Sequence, residues 1–388
     1  MTRRRLLALA AALLVAATAA AAVSARTGST GGPTLAALRI CNVGGPPKPA
    51  SAYGYVILQA SRYRQTAAIR RGNPATKVLA YKDMASTQDN VLGSSDLTSG
   101  VSYAYANRYH PEWFLKDTTG RRVNWADWPH NWQMDVGSRS YQRAWARNVA
   151  GDLRKRGWDG VFLDGISRTM QYPWYLNGRV LAKYPGPNDY ARAMTSFLRH
   201  VGPRLRRRHL VVGNINDATV PLWRRWVRYT SGVSKEWWTK SDARRGAGAI
   251  TGAEWAYQMG LLRAAQARHK IFIAIAYGPV DDLPAIEYAR TSFLLFARGR
   301  RSAFDYLRPC GAEPTSSRWR ETLGAPRGRA VKTGPVWRRL FAGGIVLVNP
   351  SAAVTATVPL GGSYLDRTGA PVTAAVLPPH TGVLLRRR

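Results

Sequence analysis

The sequence predicts an α/β fold, a (β/α)8 TIM barrel with a small C-terminal antiparallel β domain. Three observations predict it. Eight short apolar segments alternate with helical ones over about 270 residues, the span of one such barrel. Five of those segments end on a carboxylate, and the C-terminal ends of parallel strands are where α/β folds place chemistry. Beyond Cys310 the helical period disappears, and short strands separated by Gly, Pro and Asp turns take over. A doubly wound sheet is the competing architecture, and the count of eight favours the barrel.

In chain order, Arg3, Arg4 and Arg5 precede a run of small and apolar residues, and Val23-Ser24-Ala25 fits a small-residue cleavage site. Residues 1–25 therefore read as a secretory signal peptide. The rival, an uncleaved anchor, is weakened by the dominance of alanine, a poor membrane driver. The chain is expected to be secreted or held at the cell surface, with no stable membrane insertion after cleavage. Residues 26–38 read as a flexible linker, 39–312 as the barrel and 330–388 as the β domain.

The first strand is expected at 55–59 and the second at 77–83, ending on Asp83. A third is expected at 133–136 around Asp135, with Ser138 or Ser140 capping the helix that follows. In that helix Tyr141, Trp145, Val149 and Leu153 recur every four residues and form one buried face. The fourth strand, 160–163, runs into Asp164-Gly165, and the whole barrel reading is organised around it. The fifth, 210–216, carries Asn214 and Asn216. The sixth, 232–238, ends on Glu236-Trp237-Trp238, the seventh covers 270–278, and the eighth, 302–306, contains Asp305. Cys41 and Cys310 fall before the first strand and after the eighth, which adjoin in a closed barrel. A disulfide there and two free thiols both remain open.

With only 22 Asp and Glu in the chain, several carboxylates converging on one barrel mouth need a reason, because a buried unpaired charge is costly. Glycoside hydrolysis supplies one. It needs two carboxyl groups flanking the scissile bond, one donating a proton and the other attacking the sugar or activating water. Asp164 and Glu236 are the expected catalytic pair, separated by one intervening strand. That spacing suits either a retaining or an inverting geometry. Asp83, Asp135, Asn214, Asn216, Trp237, Tyr277 and Asp305 are expected to bind substrate. The strand-end Asp residues could instead cap helices or pair with arginine, and the two Asn residues could cap the next helix. The chain has 14 Trp and 18 Tyr, and Trp174, Trp237, Trp238 and Tyr277 would give sugar rings faces to stack on, whereas Trp145 and Trp158 read as core.

The formal net charge of +35 invites an anionic cell-wall polymer as partner. The basic residues are scattered, however, with dense runs only at 204–208 and 386–388, and nucleic acid is not expected. The sequence lacks an H-E-x-x-H zinc motif, a G-x-S-x-G elbow and a phosphate loop. No cofactor or metal is called for.

Residues 78–83, 111–117, 134–136 and 157–164, the last reading Gly-Trp-Asp-Gly-Val-Phe-Leu-Asp, resemble hypothetical glycosyl hydrolase family 15. They are more distantly similar to the endo-α-1,4-polygalactosaminidases. The resemblance spans roughly residues 55–305, and the tail through Asn349-Pro350 is similar to the β domain that closes such proteins. It implies a secreted polysaccharide hydrolase with Asp164 and Glu236 as the matching acidic positions, and it implies no particular sugar. Lys235 beside Glu236 departs from the uncharged neighbour expected there. Two alternatives stand beside the enzyme: a carbohydrate-binding barrel without catalysis, and a basic surface protein that binds polyanions.

Overall fold

The computed structural model describes residues 32–41, 49–90, 98–170, 176 and 178–388. The expected signal peptide, residues 26–31 of the expected linker and Trp174 lie outside the described residues. Eight parallel strands close into a barrel: β1 (Thr34–Arg39), β2 (Tyr53–Gln59), β3 (Lys77–Asp83), β6 (Gly160–Ile166), β7 (Leu210–Ile215), β8 (Gly232–Glu236), β9 (Ile271–Tyr277) and β10 (Ser302–Leu307). Between β3 and β6 a two-stranded antiparallel ribbon, β4 (Ser86–Gln88) and β5 (Asn131–Gln133), extends the chain beyond the barrel. The barrel is therefore closed, and the doubly wound alternative is excluded.

Two strand assignments need correction, and they cancel in the count. Five of the six residues of Thr34–Arg39 lie within the expected linker, yet the segment forms β1. Apart from Thr34 it has no β-branched residue, so its propensity is weak, but Leu35, Ala36, Ala37 and Leu38 are all buried between β2 and β10. Conversely, the expected strand at 133–136 is not part of the barrel. Only Asn131–Gln133 is extended, pairing with β4, and Asp135 lies in the turn that leads into the helix Arg139–Lys155. Its hydrophobic residues, Met134 and Val136, are buried outside the barrel sheet, with Met134 bridged antiparallel to Phe114.

The helices are α1 (Gln65–Gly72), α2 (Tyr103–Tyr109), α3 (Arg139–Lys155), α4 (Asp189–Arg206), α5 (Val220–Val227), α6 (Gly252–Ala267) and α7 (Leu283–Phe296). Ser138 caps α3 by accepting from the Tyr141 N–H at 3.4 Å. Tyr141, Trp145, Val149 and Leu153 are at most 1% exposed, so the four-residue spacing reports the buried face directly. Trp145 and Trp158 are core residues, as their positions suggest.

Strand alternation creates two cores. One parity, with Leu38, Ile57, Leu79, Phe162, Val212 and Ile273, fills the barrel interior. The other, with Leu58, Val78, Val161, Val211 and Phe304, packs outward under the helices. Lys82, on the outward parity, is buried and pairs with Asp152 of α3 at 2.9 Å.

Cys41 and Cys310 form a disulfide across the β1–β10 closure, with Cys41 after β1 rather than before the first strand. It closes a loop of sequence separation 269. Long loops gain most from such a link, so removing it by a double Cys→Ser change should cost about 2–5 kcal/mol. Melting curves with and without reductant measure this.

The C-terminal unit is a six-stranded antiparallel sheet in the order β11 (Pro326–Thr333), β12 (Val336–Phe341), β13 (Gly344–Asn349), β16 (Thr381–Arg387), β14 (Ala356–Leu365), β15 (Pro371–Leu377). It begins a few residues earlier than the expected 330, because β11 carries two Arg and a Lys among its eight residues and has little hydrophobic pattern. The sheet docks on α7. Buried Arg339 donates to the Leu294 and Ala297 carbonyls at 2.9 and 2.8 Å, satisfying the helix C-terminus and complementing its dipole.

Candidate active site

The interior parity of the strands brings the site together. Asp83 on β3, Asp164 on β6, Asn214 on β7, Glu236 on β8 and Tyr277 on β9 share it, each at or near its strand's C-terminal end. Asp164 and Glu236 are joined by one group. Asn214 Nδ2 donates to Asp164 Oδ1 at 3.0 Å and to Glu236 Oε2 at 2.8 Å. Those two oxygens are thus at most about 5.8 Å apart, the two distances laid end to end, beside the roughly 5 Å of retaining glycosidases.

Each carboxylate is also held by a phenol. Tyr81 donates to Asp164 Oδ2 at 2.5 Å, and Tyr277 donates to Glu236 Oε1 at 2.5 Å. Burial pushes both phenols well above their ordinary value, with the neighbouring carboxylates adding to it, so the hydroxyls remain donors. Asn216 donates to Glu236 Oε2 at 3.3 Å and accepts from the Glu236 N–H at 3.0 Å. Neither Asn caps α5; both position carboxylates. Glu236 and Asp164 keep part of their surface exposed, whereas the Asn214 between them is buried.

Burial, and next the Asp164 charge, raise the Glu236 carboxyl above its usual range, with the Tyr277 and Asn214 hydrogen bonds opposing. Burial and the Asp164 charge likewise raise Asp83 to about 6. Asp83 is held from behind by the Ala85 and Ser86 N–H groups at 2.7 and 3.1 Å and by the Ser86 hydroxyl. Lys235 is on the outward parity and buried, and its Nζ reaches Asn216 Oδ1 at 3.5 Å. The cation beside Glu236 therefore supports the Asn that positions it.

Gly165 makes this packing possible. It has φ of +72°, and a Cβ there would lie 2.4 Å from Asp83 Oδ1. The β6–β7 register shifts at this point, aiming Asp164 into the mouth. Gly165→Ala should cost about 1–3 kcal/mol, from the left-handed backbone and the clash. Activity should fall with it, and denaturant melts beside the activity assay would show both.

After β8 the chain turns sharply, with Trp237 at φ 55° and Thr239 at φ 56°. A left-handed Trp costs about 1–2 kcal/mol, and here it splits the tryptophan pair. Trp237 stays at the mouth, its ring 4.9 Å from that of Tyr277. Trp238 instead points into the core, fully buried, with Nε1 donating to the Ala289 carbonyl at 3.1 Å. It therefore offers no stacking face.

Two expected substrate contacts are placed elsewhere. Asp305 is fully buried, and its Oδ2 accepts from the Leu38 N–H at 2.7 Å, filling a gap where the β1–β10 ladder runs out. Burial and then the Glu313 charge push its carboxyl well up. Asp135 is buried too, accepting from Lys183 Nζ at 2.5 Å, from the Gly137 N–H at 3.0 Å and from the Tyr184 hydroxyl. It anchors the segment before α4. Two residues of the site carried no mark of their own in the sequence. Tyr81 has the same parity as Asp83, which is the signal that could have found it. Asp217 accepts from the Ser167 hydroxyl and the Arg168 N–H, tying the loop after β6 to the end of β7.

Solved structures resemble the chain in fold. A GH27 β-L-arabinopyranosidase from Geobacillus stearothermophilus in complex with arabinose is 12% identical, with a TM-score of 0.50, and the match covers 92% of this chain and 96% of that one. A variant of the glycoside hydrolase domain of PelA from Pseudomonas aeruginosa is 17% identical at a TM-score of 0.46, covering 76% of this chain and 98% of that one. An α-amylase from H. orenii is 11% identical at 0.49, covering 93% and 100%. No curated protein matches the chain. The model of hypothetical glycosyl hydrolase family 15 matches residues 70–345, well over half of the sequence. With a closed barrel and converging strand-end carboxylates, this chain belongs to hypothetical glycosyl hydrolase family 15.

Proposed function

We propose that the protein is an exported glycoside hydrolase that cleaves an extracellular or cell-wall polysaccharide with retention of configuration. The observation that carries this reading is the Asn214 amide shared by Asp164 and Glu236. In the first step Glu236 gives its proton to the glycosidic oxygen. The C1–O bond breaks, and an Asp164 oxygen bonds to C1. In the second step Glu236 takes a proton from water, the water oxygen bonds to C1, and Asp164 leaves with its electron pair. Glu236 suits the acid role because burial and the Asp164 charge favour its protonated form. Asp164 suits the nucleophile role because Tyr81 and Asn214 fix its two oxygens on the mouth side. Asn216 and Tyr277 orient Glu236, and Trp237 offers a stacking face beside it. The test is proton NMR of the first product released from a cleaved polysaccharide. Retention requires its anomer to match the substrate linkage; the opposite anomer would assign Glu236 or Asp164 to water activation instead.

The Cys41–Cys310 disulfide supports export, since such links persist in oxidising compartments. Expressed from the full gene, the mature protein should be found outside the cytoplasm with its N-terminus at Arg26. Retention of residues 1–25 on the mature chain would contradict the signal reading.

A further inference from the structure

Arg290, on α7, is 3% exposed, yet its Nε and Nη1 are buried without a hydrogen-bond partner. A guanidinium carries five donors and stays charged, so burying it unpaired is among the costliest things a fold can do. Its aromatic neighbours offset only part of that cost. The Phe304 and Phe293 rings lie 5.5 and 5.9 Å from Cζ. Burial pushes the group down to about 10.

Arg290 lines a cavity of about 30 Å³ between α7, the segment before β11 and the β domain. Leu283, Ile286, Trp319 and Leu384 make most of its wall apolar. The Thr291 hydroxyl faces it but is used on the Glu287 carbonyl at 2.6 Å. Two carboxylates also line it, Glu321, engaged by Arg386 Nε, and Glu287, which has a partner of its own, so neither is free to pair with Arg290. The space is about that of one or two water molecules, too small for a sugar or a phosphate ester.

We infer that this cavity is a binding site for a small monovalent anion of chloride size, held by the Arg290 guanidinium where the barrel meets the β domain. The charge is supplied by Arg290, the selectivity by the cavity's size and apolar wall. Because β16 contributes Leu384 and α7 contributes Arg290, an anion there ties the two units together. The site is separate from the glycosidase reading and does not depend on it.

The test uses the full mature chain. Its melting temperature is measured in sodium chloride and in sodium gluconate, an anion too large to enter, at equal ionic strength. Chloride should raise it by about 1–2 °C, and Arg290→Met should remove the difference. Equal melting temperatures in the two salts would overturn the assignment, as would an undiminished chloride response in Arg290→Met. Should Arg290→Met not fold, wild-type crystals soaked in bromide decide the question. An anomalous peak within hydrogen-bond reach of the Arg290 guanidinium supports the site, and its absence means that water alone solvates the charge.

Discussion

Asp164→Asn is expected to lower kcat by about 10⁴-fold, the scale on which a member of a catalytic constellation fails. The amide can still accept from Tyr81, so the fold around it should survive; what is lost is the oxygen proposed to bond to C1. The melting temperature should move by less than about 2 °C, since the substitution is nearly isosteric. A second consequence separates this from a merely structural role. Asp164 is one of the two causes that hold Asp83 up at about 6. In the variant Asp83 should titrate closer to an ordinary aspartate. For a carboxyl raised in the folded state, the native chain binds more protons than the unfolded one between the two values, so stability falls as pH rises through that window. Wild type should therefore lose stability between about pH 4 and pH 6, and Asp164→Asn should lose less. Melting curves against pH, read beside kcat, test both halves.

Glu236→Gln is expected to cost about 10²–10⁴ in kcat on natural polysaccharide, the range for removing a general acid. Its pH signature follows from the direction of the shift. With Glu236 in the proposed acid role, wild-type activity should fall as pH rises through a value above that of an ordinary glutamate. The Gln variant should lack that limb. It should also lack the accompanying loss of stability as pH rises, because it no longer has a buried carboxyl to ionise. Glu236→Ala gives a sharper reading. On a substrate whose leaving group needs no proton, azide can attack the Asp164-bound sugar without a base, restoring turnover and yielding a glycosyl azide of retained configuration. Full activity of Glu236→Gln on natural polysaccharide would remove Glu236 from the acid role.

Much of the barrel was legible because its strands are strongly patterned. Ile271–Tyr277 is a run of apolar residues, and Gly160–Ile166 announces itself by ending on Asp-Gly. What was hidden had a physical reason. β1 lacks β-branched residues apart from Thr34, so burial rather than propensity makes it a strand, and Asp135 follows a short segment that pairs with β4 instead of joining the barrel. The catalytic candidates were readable from position, since Asp164 and Glu236 stand at the C-terminal ends of apolar strands. Their connection was not. That one Asn214 amide would bridge Asp164 and Glu236 depends on the stagger of β6, β7 and β8, and on the shift at Gly165, which no local pattern encodes. The opposite fates of Trp237 and Trp238 were hidden too, because they turn on a left-handed backbone at the end of β8.

Asp164 and Glu236 are proposed to make this barrel a glycosidase. The most direct measurement is reducing-sugar release from a panel of bacterial and plant polysaccharides, wild type beside Asp164→Asn at equal concentration. Wild type should release sugar from at least one polymer, and the variant none above background. Equal release by both, or binding of a polymer by wild type without any release, would contradict it.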